Sequence, residues 1–133
     1  MFYYEESATG QADINRIWDL YSDVSKWSTW DSGVRSVQLS GPFSAGTHGV
    51  MEMSHGPDLP FILVECSQMK GFTTKSEMGP MTITFEHALE EDAGNVTITH
   101  AVTIDGGEES QMDNIGKGIT AGLAGCLKKL LSM

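Results

Sequence analysis

Two stretches toward the C-terminal end alternate so strictly that they leave few folds open. Met81, Ile83, Phe85, His87 and Leu89 share one parity, and Thr82, Thr84, Glu86 and Glu90 share the other. Val96, Ile98, His100, Val102 and Ile104 repeat the pattern, with Thr97, Thr99 and Thr103 opposite. A period of two with one apolar and one threonine-rich face marks neighbouring antiparallel strands that are buried on one side only. The residues between them, Glu91-Asp92-Ala93-Gly94, read as a hairpin loop of about four residues, which pairs Leu89 with Val96 and sets His87 diagonally from His100. The period then becomes helical. Met112, Ile115, Ile119, Leu123, Cys126 and Leu130 form one apolar stripe through residues 110–131. Glu108, Glu109 and Asp113 near its start and Lys128 and Lys129 near its end match the helix dipole.

The rest of the chain supplies more strands. Residues 2–9 read as a first strand that pairs at a sheet edge. Asp13 is placed to cap a short helix carrying Ile14, Ile17, Trp18 and Tyr21, and Asp23 to cap a second helical turn carrying Val24 and Trp27. Alternation resumes around Val37 and Leu39, again at Met51, Met53 and His55, and again at Phe72, Thr74, Ser76 and Met78. Residues 60–67 are a nearly continuous apolar run, which predicts a strand covered on both faces. The expected architecture is α+β: a curved antiparallel sheet of about seven strands wrapped around a long C-terminal helix, with two short helices after the first strand. One domain spans residues 1–133. Gly116, Gly118, Gly122 and Gly125 interrupt the last helix at about 0.5–1 kcal/mol each relative to Ala. Close approach to the sheet would offset that cost, and so would room left for a ligand.

This element order resembles the START-like, helix-grip superfamily (SRPBCC-type). So do Trp27 and Trp30 in Val-Ser-Lys-Trp-Ser-Thr-Trp-Asp, Gly41-Pro42-Phe43 before Gly46-Thr47-His48-Gly49, and Phe85-Glu86-His87-Ala88-Leu89. The polyketide cyclase/dehydrase and lipid-transport branch is the most similar. The resemblance covers essentially the whole chain and implies a hydrophobic cavity between sheet and helix. Tasks within the superfamily are diverse, so it implies no single reaction.

Composition narrows the partners. With 18 acidic and 8 basic residues the net charge is −10, which argues against nucleic acid and anionic membrane surfaces. No apolar run is long enough to predict a membrane span. Met1-Phe2-Tyr3-Tyr4-Glu5-Glu6 does not read as a secretory signal, so the cytoplasm is the expected location. Cys66 and Cys126 stand apart without a motif and read as buried thiols. No phosphate loop, dinucleotide fingerprint or nucleophile elbow is present, and no cofactor is expected. A homodimer is left open.

His87 and His100 are the candidate catalytic pair, since both lie on the apolar parity and imidazole titrates near neutrality. They also read as ligand-orienting groups or as hydrogen-bonded core residues. Three histidines, with His55 the third, could in principle hold zinc, but their spacing carries no short ligand motif and no metal is expected. His48 lies in a glycine-flanked turn and is expected to be exposed. The predicted ligand-binding set is Trp27, Trp30, Met51, Met53, His55, Phe72, Met78, Phe85, His87, His100, Met112, Ile115 and Ile119, a pliable wall rich in methionine. Met81 has the parity to join it. Three functions follow. The first is binding of a hydrophobic or aromatic, lipid- or polyketide-like molecule. The second is a cyclase or dehydratase using an inward histidine as general acid or base. The third is an interaction module with a filled core.

Overall fold

The computed structural model describes residues 1–133. Strand β1 (Phe2–Gln11) leads into helix α1 (Ile14–Ser22), a short 3-10 turn (Val24–Lys26) and the single turn α2 (Trp27–Trp30). Six strands follow: β2 (Val34–Leu39), β3 (His48–Met53), β4 (Leu59–Ser67), β5 (Gly71–Met78), β6 (Met81–Asp92) and β7 (Asn95–Asp105). The chain ends in α3 (Glu109–Thr120) and α4 (Leu123–Ser132). The seven strands form one antiparallel sheet in the order β1-β7-β6-β5-β4-β3-β2, curved around the C-terminal helix. That helix is interrupted at Ala121-Gly122, where Gly122 leaves helical geometry and becomes the N-cap of α4.

The caps act where the side chains suggest. Asp13 accepts from the Asn15 N–H at 2.9 Å and Asp23 from the Ser25 N–H at 3.1 Å, each satisfying a donor left free at a helical start. Both indole N–H groups then close the other end of α1. Trp27 Nε1 donates to the Tyr21 carbonyl at 2.7 Å and Trp30 Nε1 to the Leu20 carbonyl at 3.0 Å. The two tryptophans, three residues apart on one helical face, thereby fold the elbow back onto α1. Arg16 ties α1 to the chain end, donating through Nη2 to the Leu130 and Leu131 carbonyls.

The hairpin between β6 and β7 differs from its sequence reading. Asp92 pairs with Asn95, so the turn has two residues, Ala93 and Gly94, both in the left-handed region (φ 53° and 84°). That geometry matches the twist of the flanking strands, and the unhindered Gly94 makes it accessible. The shorter turn moves the register by two: Leu89 pairs with Ile98 rather than Val96, and His87 stands directly opposite His100.

The run at 60–67 is covered on one face only. Leu59, Phe61 and Leu63 are buried, whereas Val64 is 40% exposed on the outer face. Both helices of the grip lie on the concave side, so water reaches the convex side, as an antiparallel sheet permits. A register shift between Leu63 and Glu65 re-phases the strand. It turns Glu65 out and brings Cys66 inward, where its Sγ donates to the Phe43 carbonyl at 3.4 Å. A similar shift in β2 lets Val34 and Val37 face inward together.

The principal core joins α1, α2, β2–β7 and α4 around Ile17, Tyr21, Leu63, Val96, Ile98, Leu127 and Leu130, none more than 1% exposed. Met81, Ile83, Val102, Ile104 and Met112 form a smaller core under α3. Gly116 lets α3 approach closely, since a Cβ there would overlap the Phe2 ring. Gly118 has nothing within 4 Å of its Cβ position, so close approach explains Gly116 and not Gly118.

Candidate functional site

A cavity of about 670 Å³ lies between the concave sheet and the C-terminal helix. Trp27 and Trp30 from α2 form one side, Met51 and Met53 from β3 another, and Phe85 from β6 the floor beside Thr74 of β5. Ile115, Ile119 and Leu123 face them from α3 and α4. The wall is apolar apart from a few groups: Asp31, Ser32, His55, Thr74, His87, Asn114 and Cys126. A second depression of about 530 Å³ lies on the outer face of β4–β6, beside Glu65, Lys70 and Glu86. Val64, Phe72 and Ala88 are its hydrophobic lining residues, and it lies outside the grip of the C-terminal helix.

Of the residues singled out in the sequence, Trp27, Trp30, Met51, Met53, His55, Phe85, His87, Ile115 and Ile119 are on the cavity wall. Phe72, Met78, His100 and Met112 are not, and each has a physical reason. Phe72 lies behind His87, its ring stacked on the imidazole at 4.0 Å between centroids. His100 is buried behind Tyr21, whose hydroxyl shares a 2.6 Å hydrogen bond with His100 Nε2. Met112 fills the small core under α3 together with Met81, and Met78 packs at its border. The methionine wall is therefore Met51 and Met53. His48 is exposed, and no group of three or more His, Cys, Asp or Glu is placed to hold a metal ion.

The imidazole pair is an internal polar island. The His87 and His100 rings meet edge to face with centroids 4.6 Å apart, and Tyr21 touches both rings. Burial pushes His87 down to about 3, opposed by a hydrogen bond between its Nδ1 and the Phe72 carbonyl at 3.3 Å. Burial also pushes His100 well down, and the adjacent His87 adds to the effect. Both rings are neutral at pH 7. With Nδ1–H donating to Phe72, His87 keeps its lone pair on Nε2. Burial raises the Tyr21 phenol well above its ordinary range, so it too stays neutral.

Asp31 and Cys126 meet on the wall from α2 and α4. Asp31 Oδ1 accepts from the Gly33 N–H at 3.0 Å. Burial raises the Asp31 carboxyl above its usual range. Burial and the neighbouring Asp31 carboxylate push the Cys126 thiol up to about 12, so it is not a nucleophile near neutrality. Neither Asp31 nor Tyr21 stands out in the sequence as a site residue: Asp31 reads as a local cap or as a partner of Arg35, which pairs instead with Glu52 at 2.7 Å, and Tyr21 reads as one more apolar position of α1.

Comparison with known proteins bears on the fold. A hypothetical protein from Helicobacter pylori superposes with a TM-score of 0.80 at 12% identity, over 98% of this chain and 86% of that one. Ara h 8.0201 does so at 0.75 and 13%, over 97% and 94%. Norcoclaurine synthase from Thalictrum flavum does so at 0.72 and 12%, over 97% and 83%. No family model matches the sequence, and no curated protein matches it. At these identities the likeness shows the fold alone. It is a helix-grip fold, and the polyketide cyclase branch is not singled out.

Proposed function

We propose that the protein binds a hydrophobic or aromatic small molecule, lipid- or polyketide-like in skeleton, in the cavity between its sheet and C-terminal helix. One observation carries the reading: an apolar space of about 670 Å³ opens inside an otherwise well-packed fold. That volume lies within the range typical of small-molecule sites. Phe85, Ile115 and Ile119 offer apolar surface and Met53 adapts to shape, while Trp27, stacked on Phe61 and Phe72, and Trp30 back the wall from the core. His87, fixed by its stack on Phe72, presents a neutral ring whose Nε2 accepts a hydrogen bond from a ligand hydroxyl or amide. The expected cytoplasmic location belongs to this proposal.

Two observations favour binding over turnover. A base whose conjugate acid ionises near 3 is poorly matched to proton transfer at neutral pH. His100, the other candidate, is not on the cavity wall and is engaged with Tyr21. The cavity itself weighs against an interaction module with a filled core.

The test is fluorescence titration with N-phenylnaphthylamine, a neutral aromatic probe, against the wild type and Ile119→Trp. The indole would occupy the space beneath α3. Saturable binding by the wild type, and its loss in a variant with an unchanged melting temperature, is the expected result. A wild type that gives no saturable signal, or a variant that binds equally well, overturns the proposal.

A further inference from the structure

Asp31 is the single formally charged side chain on the cavity wall; no lysine or arginine lines it. The carboxylate stands next to the two tryptophans, with one oxygen held by the Gly33 N–H at 3.0 Å. Its other neighbours are the Cys126 thiol and, more distantly, Lys129, both from α4. Lys129 is exposed and makes no ion pair with it. The indole N–H groups of Trp27 and Trp30 go to backbone carbonyls and the Gly33 N–H goes to Asp31, so the side-chain donors left on the wall are Ser32, His55, Thr74 and Asn114, with neither a lysine nor an arginine among them. An acidic ligand would bring a second negative charge beside a partly desolvated first one, which is costly. A cationic ligand would instead supply the charged partner that the carboxylate lacks beside its hydrogen bonds from Gly33 and Cys126. The overall charge of −10 would also draw cations toward the mouth.

We infer that the ligand has an apolar or aromatic body bearing a basic amine, and that Asp31 pairs with the ammonium group. The inference rests on the binding reading above and adds its charge selectivity.

The experiment displaces N-phenylnaphthylamine from the wild type and from Asp31→Asn with three compounds of one ring system: naphthylethylamine, naphthylethanol and naphthylacetic acid. Asn keeps the oxygen that accepts from Gly33, and retained folding is checked by thermal melting. In the wild type the amine is expected to displace the probe about tenfold better than the alcohol, and the acid worst. In Asp31→Asn that preference vanishes while the probe still binds saturably. The preference also fades in the wild type as pH falls toward the carboxyl range, which tests the pairing without any substitution. Equal affinities for amine and alcohol in the wild type, or a preference that survives in Asp31→Asn, overturn the inference and leave the binding reading intact. Failure of the probe to bind at all overturns both.

Discussion

Replacing His87 with Phe should flatten the dependence of stability on pH, by an amount that follows from where the ring lies. The unfolded chain has a histidine of ordinary pKa, about 6.5. In the native protein, burial between Phe72 and His100 pushes it down to about 3. Between those limits the unfolded state binds a proton that the native state refuses, so stability is lost as pH falls. The loss begins near pH 6.5 and grows by ~1.4 kcal/mol per pH unit. From about pH 7.5 to about pH 5 it reaches roughly 2 kcal/mol for this one residue. His100 is displaced in the same direction and adds to the slope. Asp31, whose carboxyl is raised, acts in the opposite sense but is common to both proteins. His87→Phe keeps the aromatic stack on Phe72 and removes the proton. Urea unfolding followed by tryptophan fluorescence across this pH range should show the two proteins converging in stability, or crossing, by about 2 kcal/mol as the pH drops. Parallel curves would refute the reasoning, because they would mean that His87 is protonated as readily in the fold as out of it.

Tyr21→Phe removes the partner of His100 Nε2 and leaves a buried imidazole nitrogen unpaired, which should cost about 1–3 kcal/mol in urea unfolding at neutral pH. Gly125→Ala, in α4 with open space at its Cβ position, should stabilise by about 0.5–1 kcal/mol. Gly116→Ala should lose that gain or reverse it through the overlap with Phe2; calorimetric melting of the pair separates the two cases. In β4, Leu63→Ala should cost roughly 2–5 kcal/mol, whereas the outward Val64→Lys should change stability by no more than about 0.5 kcal/mol. Similar losses at both positions would mean that both faces of β4 are covered after all.

The strands were readable because their burial is one-sided. The parity of β6 and β7 fixes which residues face the helix whatever the register, so His87 and His100 point inward under either pairing. Register itself depends on the turn, and there the signal was weak. Ala93 occupies a position where Asn or Asp would have announced a two-residue turn, so Asp92-Ala93-Gly94 looked like part of a longer loop. The bulges left a fainter trace. Val34 and Val37 cannot share a face of a regular strand, and Leu63 and Cys66 cannot either; in each case one extra residue reconciles the pattern. An apolar run read only for hydrophobicity hides this, whereas the acidic Glu65 on the inward parity was the clue.

The site was harder to read, because a wall is made by convergence and not by spacing. Asp31 and Cys126 are far apart in the chain, and only the packing of α2 against α4 brings them together. The apolar stripe from Met112 to Leu130 looks uniform along one helix, yet its residues do different things. Leu130, with Leu127 beside the stripe, is fully buried and fills the space against the principal core. Met112 fills the core under the opposite end. Between them Ile115 and Ile119 stay only half-buried, Gly118 contributes no side chain, and the helix breaks at Ala121-Gly122. A continuous helix with a large residue at each of these positions would press evenly on the sheet and close it. Packing both ends while thinning the middle leaves the sheet's curvature unfilled at one place, beside Trp30, Phe85 and His87. Gly118 and Gly122, which weaken the helix in isolation, are thus part of what keeps the cavity open.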